Sequence, residues 1–242
     1  MRFLVLISLK YRIFSLYLKF IIKEGIFMSI KRKGFTLAEI LITLGIIGVV
    51  AAMTLPMLMT NIAKQRTLTK VRTFYSKINQ AIQLSIADGN APTESIQYKF
   101  YSYNDNLAYL KQFVYPYLKY VEFYPCMDNY TVCTSLYDGG VMTFGIDGGG
   151  ADIIYFINKN DVDKEQNLPH FRFAFQLAKI KSSSDKTKNA NEYVEPYTFN
   201  WDLTKAGLKS GRYGCYKGCP ICAYCTKLLQ ENNWKFSGDY PW

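Results

Sequence analysis

The sequence predicts an α+β protein in which a long N-terminal helix packs on a small antiparallel β-sheet. Three observations lead to this prediction. A 25-residue run with a single charge occupies residues 35–59, an amphipathic helical pattern follows over residues 60–88, and short β-rich segments come later in the chain. The chain has 242 residues, of which 49 % are apolar. This is enough for a packed core and excludes a mainly disordered protein.

The positive charge of the chain lies mostly at its N-terminus. The formal net charge is +10, with 29 Lys and Arg against 19 Asp and Glu. Residues 1–34 hold eight of these cations and one anion, so they carry +7, and the other 208 residues carry +3. A basic surface spread over a folded domain is therefore not indicated, and nucleic-acid binding is not expected. Cations beside a hydrophobic run are instead typical of a membrane-targeting segment.

Residues 35–59 are long and apolar enough to form a membrane-spanning helix. At about 1.5 Å per residue they exceed the roughly 30 Å of a hydrocarbon core. Lys31, Arg32 and Lys33 stand directly before this run, which predicts a cytoplasmic N-terminus and an extracytoplasmic remainder of the chain. The alternative is a core helix of a soluble protein, and such helices are rarely apolar on every face.

Two residues within the run are costly for a simple membrane anchor. Glu39 places a carboxylate in apolar surroundings, at a cost of about 2.5–3.5 kcal/mol near the membrane centre and less near its edge. Pro56 removes a helix hydrogen bond and favours a bend. Residues 35–59 contain no Lys or Arg. The expected cationic partner of Glu39 is therefore a free amino terminus, in the same chain or in a neighbouring subunit, created by cleavage directly before Phe35.

The segment that enters the run resembles the N-terminus of a known protein family. The sequence Lys31-Arg32-Lys33-Gly34-Phe35-Thr36-Leu37-Ala38-Glu39 resembles the processing motif of type IV pilins and type II secretion pseudopilins. The resemblance implies that a prepilin peptidase cleaves after Gly34, on the cytoplasmic side, and that Phe35 is then N-methylated. Glu39 matches the acidic fifth position after the cut, and Pro56 matches a proline found in many members of the family.

The resemblance also implies a pilin-like fold and a function. The chain is expected to be a structural subunit of a type II secretion pseudopilus or a type IV pilus, assembled through its N-terminal helix. Glu39 would neutralise the Phe35 amine of a neighbour, and Pro56 would let the helix bend. The implied partners are the prepilin peptidase, other pilin or pseudopilin subunits, and an inner-membrane assembly platform. The implied location is the bacterial inner membrane, as a single-pass protein with an extracytoplasmic head, and then the filament.

The predicted organisation has four segments. Residues 1–34 form a basic leader that is removed. Within it, residues 1–27 contain no uncharged stretch long enough to span a membrane, and Met28 is the expected true start. A secretory signal cleaved after the apolar run is the alternative, but it would discard that run. Apolar residues at steps of three and four predict that the helix continues through residues 60–88, and residues 89–242 form the extracytoplasmic head.

The head combines a further helical pattern with patterns typical of β-strands. Apolar residues with helical spacing extend from Leu107 to Val121, and Pro116 interrupts them. Short β-rich segments separated by Gly, Asn and Asp then predict strands of a small sheet. These strands are expected at residues 141–146, 151–157 and 171–177.

One polar stretch between two predicted strands has the residue types of a calcium site. Asp161, Asp163 and Glu165 offer carboxylates at alternate positions, as a calcium ion prefers. The stretch lacks the glycine and the final glutamate of an EF-hand, and Lys159 and Lys164 interrupt it. A solvated turn is the alternative. No firm metal site or cofactor is therefore predicted.

All six cysteines follow the predicted membrane span. An even number in an oxidising compartment predicts disulfides. Cys126 and Cys133 enclose six residues and are expected to pair with each other, which leaves two bonds for the cluster at residues 215–225. Zinc ligation by that cluster and a redox dithiol at Cys219-Pro-Ile-Cys222 are alternatives. The disulfide candidates are Cys126, Cys133, Cys215, Cys219, Cys222 and Cys225.

A second class of function stands beside the structural subunit. It is a membrane-anchored binding module whose head holds zinc in the cysteine cluster or captures DNA or another ligand. Catalysis is not expected, because His170 is the single histidine and no Ser/His/Asp set can be placed. The sequence does not separate pseudopilus from pilus subunits, and the aromatic, Cys-rich head slightly favours a minor or specialised subunit over a major one.

Overall fold

The described part of the chain begins with one long helix and continues into a β-sheet head. The computed structural model describes residues 34–90, 102–147, 150–162, 172–181, 193–238 and 240–242. The chain divides into two compact units between Pro56 and Met57. Helix α1, Leu37–Ala87, runs from the first unit into the second. The predictions made for residues 1–33 lie outside the described residues.

The part of α1 in the first unit is an exposed apolar helix. Leu41 and Ile47 are 60 % and 63 % exposed, and neighbouring large apolar side chains are exposed to a similar degree. Among the described residues, α1 is the one helix long and apolar enough to cross a membrane, and none of its most apolar stretch is buried. Soluble proteins rarely leave an apolar surface of this extent in water. The predicted helix of membrane-spanning length and composition is confirmed.

A six-stranded antiparallel sheet forms the centre of the second unit. The strands lie side by side in the order of the chain, from β1 to β6, as short connections between antiparallel neighbours favour. Two shorter helices accompany the sheet. The strands are β1 Tyr120–Pro125, β2 Val132–Leu136, β3 Val141–Asp147, β4 Gly150–Phe156, β5 Arg172–Lys181 and β6 Val194–Pro196, and the helices are α2 Tyr103–Phe113 and α3 Cys225–Glu231.

The strand predictions are confirmed for β3, β4 and β5, and no boundary is shifted by more than four residues. The helical pattern predicted as far as Val121 is wrong at its C-terminal end. Helix α2 ends at Phe113, and Val121 lies in β1. Pro116 cannot continue a helix, and the Tyr, Val and Phe residues that follow it favour strands.

One face of α1 forms part of the core of the second unit. The buried apolar side chains on this face recur at steps of three or four residues, which confirms the predicted amphipathic continuation. The ring of Phe74 stacks on Tyr155 of β4 at 4.5 Å and meets Phe175 of β5 at 5.5 Å. Helix and sheet therefore share one apolar core. The main α1 contributions are Leu68, Val71, Phe74, Ile78 and Ile82.

The side chain of Asn79 in α1 forms hydrogen bonds with the short edge strand β6. Its Oδ1 accepts a hydrogen bond from the backbone N–H of Val194 at 2.7 Å, and its Nδ2 donates to the Val194 carbonyl at 3.0 Å. The Nδ2 also donates to the Tyr75 carbonyl at 3.1 Å. Asn79 is only 5 % exposed. One side chain thus satisfies backbone groups that would otherwise be buried without partners.

We expect Asn79→Ala to lower the free energy of unfolding by about 2–3 kcal/mol, because two buried backbone groups lose their partner. Urea unfolding of the chain in detergent, followed by near-ultraviolet circular dichroism, measures this loss. Gln80→Ala, one position along α1 and exposed, is the control and should change stability by less than about 0.5 kcal/mol. Equal effects of the two changes would contradict the assigned role of Asn79.

Three disulfides close loops of the head, and every cysteine takes part in one. The bond near the end of β1 is the local pairing expected from the sequence. The other two lie in the loop before α3, where Arg172 of β5 donates from Nη1 to the Ile221 carbonyl at 2.6 Å. Zinc binds cysteine as a thiolate, so this oxidised cluster does not offer its sulfur atoms as ligands. The pairs are Cys126–Cys133, Cys215–Cys225 and Cys219–Cys222.

Candidate functional site

The predicted cleavage point lies in exposed chain directly before α1. Gly34 and Phe35 precede the helix without regular structure, and Phe35 is 83 % exposed. A Cβ atom built on Gly34 would meet nothing within 4 Å. The Gly34–Phe35 peptide bond is thus unobstructed by the described part of the chain.

Thr36 and Glu39 form a reciprocal cap at the start of α1. Thr36 donates to Glu39 Oε2 from its backbone N–H at 2.8 Å and from its hydroxyl at 2.9 Å. In return, the Glu39 N–H donates to the Thr36 hydroxyl at 3.3 Å. This is the capping box expected from a Thr-x-x-Glu sequence, and it also places a carboxylate at the positive end of the helix dipole. Both Thr36 donors bond to Oε2, which leaves Oε1 for another donor.

The sequence interpretation missed Thr36, although the spacing of Thr36 and Glu39 is itself a capping signature. It assigned Glu39 only to a free amino terminus, in the same chain or in a neighbouring subunit. The structure adds a local role, since the same carboxylate fixes where the helix begins.

Pro56 lies within α1, and the helix continues through it. Because proline has no backbone N–H, residue 56 cannot donate to the carbonyl of residue 52. The bend assigned to Pro56 stays a prediction.

The remaining predicted site residues are not brought together in the described part of the chain. Lys31, Arg32 and Lys33 lie outside it, as do Asp163 and Glu165. Asp161 is buried, and its Oδ2 accepts a hydrogen bond from Asn158 Nδ2 at 3.1 Å. Calcium binding at this loop stays a prediction. Within the described ranges, no cluster of three or more His, Cys, Asp and Glu residues is placed to hold a metal ion.

A groove that the sequence interpretation missed lies along the exposed face of α1 in the second unit. Its volume is about 530 Å³. The α1 residues that face it recur at steps of three or four, so they form one stripe along the helix. Exposed helix faces usually carry charged residues of both signs, whereas residues 40–87 contain no Asp or Glu. The groove is lined by Arg72, Tyr75, Ser76, Asn79, Gln80, Gln83 and Trp234.

Trp234, which follows the C-terminus of α3, forms part of the wall of this groove. Asn233 and Trp234 both have φ of 55°. Their N–H groups donate to the Gln230 carbonyl at 3.0 Å and the Leu229 carbonyl at 2.7 Å, respectively. These bonds form a Schellman motif, in which asparagine is tolerated but tryptophan in the left-handed region costs roughly 1–3 kcal/mol. The result is an indole held 5.3 Å from the ring of Tyr75.

Comparison with known families finds one match in each compact unit. The model of a family of unknown function, DUF6613, matches residues 57–242, more than three quarters of the chain. The chain belongs to DUF6613. Residues 30–55 of this DUF6613 chain match the prokaryotic N-terminal methylation motif, the prepilin-cleavage motif of type IV pilins and pseudopilins. No curated protein and no solved structure matches the chain significantly.

The motif match confirms the resemblance found in the sequence. This DUF6613 chain is a type IV pilin-like or pseudopilin-like precursor, with an N-terminal helix fit for anchoring in the inner membrane. The methylation motif ends at residue 55 and the DUF6613 match begins at residue 57, where the second compact unit also begins. The DUF6613 match therefore covers the second compact unit, and the segment before it carries the pilin motif.

Proposed function

We propose that this DUF6613 chain is a structural subunit of a type IV pilus or a type II secretion pseudopilus. In this proposal a prepilin peptidase cleaves after Gly34, and the mature subunit assembles through α1. The observation that carries the proposal is the methylation motif at residues 30–55, placed so that the exposed Gly34–Phe35 bond directly precedes a helix of membrane-spanning length. The proposed role requires no catalytic group and no cofactor.

The cations before Gly34 orient the precursor. Lys31, Arg32 and Lys33 would remain in the cytoplasm, where positive residues are retained, while the head is exported. The three disulfides of the head support this orientation, because disulfides form and persist outside the cytoplasm. The peptidase, the neighbouring subunits and the inner-membrane assembly platform are the proposed partners.

Cleavage creates the charge that Glu39 requires. The new amino group of Phe35 is cationic, and in a neighbouring subunit it can donate to Glu39 Oε1 while Thr36 occupies Oε2. A carboxylate alone in an apolar bundle is costly, and a short charge-assisted hydrogen bond offsets that cost. The pair therefore favours assembly over the free membrane-held subunit and fixes the register between subunits.

Assembly also gives the exposed apolar side chains of α1 a new environment. Those between Phe35 and Val50 are 41–83 % exposed on the isolated chain. Lipid surrounds them before assembly, and neighbouring helices would do so afterwards. In an apolar medium, helix association is driven by van der Waals contacts rather than by the hydrophobic effect. The pair of Glu39 and the Phe35 amine therefore supplies the specificity of the contact between subunits.

Glu39→Gln tests the proposal. We expect normal cleavage after Gly34 but at least about a tenfold loss of subunit entering sheared filaments, because the amide cannot neutralise a buried ammonium group. Immunoblots of sheared and cell-bound fractions measure the loss. Thr43→Val changes another polar residue of the apolar run, whose hydroxyl donates to the local Ile40 carbonyl, and should leave assembly near the wild-type level. Wild-type incorporation of Glu39→Gln would overturn the proposal.

A further inference from the structure

The groove on α1 is a second candidate site, and the proposed assembly mechanism does not use it. We propose that this groove binds an acidic oligosaccharide. Its floor and walls, together with the residues that face the opening, come entirely from the second compact unit. The inference therefore stands independently of whether the chain enters a filament.

The stripe along α1 offers hydrogen bonds suited to sugar hydroxyls. Arg72, Ser76, Gln80 and Gln83 are exposed and cover about 16 Å of helix at 1.5 Å per residue. The hydroxyl of serine and the amide of glutamine each donate and accept hydrogen bonds. Sugar hydroxyls do the same, so adjacent hydroxyls of one ring can pair with neighbouring side chains of the stripe. The length of the stripe fits a chain of a few rings better than a single ion.

Trp234 gives the groove an aromatic wall. The centroid of its indole lies 5.3 Å from that of the Tyr75 ring. The Tyr75 ring in turn stacks on Phe175, with 5.8 Å between the ring centroids. The two hydrogen bonds that end α3 hold the backbone of this tryptophan in its left-handed conformation. An aromatic ring fixed in this way loses little conformational freedom on binding. Its exposed surface can cover the C–H face of a sugar ring, which is apolar although the rim of the ring is polar.

Arg72 selects for an acidic ligand. Among the described residues it is the single charged one that lines the groove, and none of their carboxylates forms an ion pair with it. A guanidinium binds a carboxylate through two parallel hydrogen bonds. A single cation does not suit nucleic acid, which is bound through many phosphate contacts. A uronic or sialic acid within an otherwise neutral glycan fits this groove, because its carboxylate can pair with the guanidinium and its hydroxyls can pair with the amide and hydroxyl side chains.

The test uses the purified chain, with its N-terminal helix, in detergent micelles. It is applied to an array carrying trigalacturonic acid, hyaluronan tetrasaccharide and sialyllactose beside their neutral counterparts. The strongest acidic binder and its carboxyl methyl ester are then titrated by calorimetry. We expect Arg72→Gln to weaken binding of the acid about tenfold, as loss of a charge-assisted pair does, with little effect on the ester. Lys77→Gln, an exposed cation of α1 outside the groove, is the matched control and should change affinity less than about twofold.

A second pair of variants distinguishes the residues that line the groove from other exposed residues of α1. Gln80→Ala combined with Gln83→Ala should weaken binding of both acid and ester, whereas Gln65→Ala, exposed on α1 outside the groove, should not. Absence of binding to all three acidic glycans would overturn the proposal, as would equal binding by wild type, Arg72→Gln and the double variant. A photo-crosslinker at position 83 that captures another subunit in cells would assign the groove to a subunit contact and overturn it as well.

Discussion

We expect a chain with Gly34→Leu to accumulate as uncleaved precursor under conditions in which the wild-type chain is cleaved. A Cβ atom at position 34 would meet nothing within 4 Å in the described part of the chain. We therefore expect the substitution to leave the fold intact, so that a loss of cleavage reports on recognition by the peptidase. Without cleavage no Phe35 amino group exists to pair with Glu39, so filament entry should be abolished along with processing. Mass spectrometry of the N-terminal peptide measures both cleavage and methylation.

Gly45→Leu is the matched control for this experiment. Gly45 lies in the exposed apolar part of α1, and a Cβ built there also meets nothing within 4 Å. Leucine is apolar and a good helix former, so this variant should be cleaved after Gly34 as the wild type is. A Gly34→Leu chain that still begins with methylated Phe35 would contradict the assigned cleavage site.

The features that the sequence predicted are those that local periodicity encodes. The apolar run at residues 35–59 and the stripe of residues 60–88 depend on neighbours three and four positions away, which α1 itself brings together. Strands β3, β4 and β5 were recognisable because their β-branched and aromatic residues stand between turn residues. The processing motif was recognisable because its residues are contiguous.

Features that depend on distant parts of the chain were not predictable in this way. Val121 fits a helical spacing, but it lies in β1, where the residues on either side of it, Tyr120 and Glu122, pair with β2. The cluster Cys215 to Cys225 allows several pairings by spacing alone, and the fold of the loop selects one. The groove combines a stripe of α1 with Trp234, which lies about 150 residues further along the chain, and no local pattern links them.

Phe74→Ala should be the most destabilising single substitution considered for the head. Phe74 is 1 % exposed and stacks on Tyr155 at 4.5 Å while meeting Phe175 at 5.5 Å. Truncation removes the transfer free energy of a whole ring and leaves a cavity between helix and sheet, so we expect a loss of about 3–5 kcal/mol in the free energy of unfolding. Urea unfolding in detergent, followed by near-ultraviolet circular dichroism of the aromatic side chains, measures it.

Leu84→Ala on the same helix is the control, because it truncates an exposed apolar side chain instead of a buried one. Leu84 is 45 % exposed, so its truncation leaves no enclosed cavity and should cost less than about 1 kcal/mol. Both variants keep the segment from Gly34 to Glu39 unchanged. Phe74→Ala should therefore still be cleaved after Gly34 while its head unfolds at lower urea concentration than the wild type. If Phe74→Ala proved no less stable than Leu84→Ala, the packing of α1 on the sheet would not be what holds the head together. A loss of cleavage in Phe74→Ala would show that the peptidase requires a folded head as well as the motif.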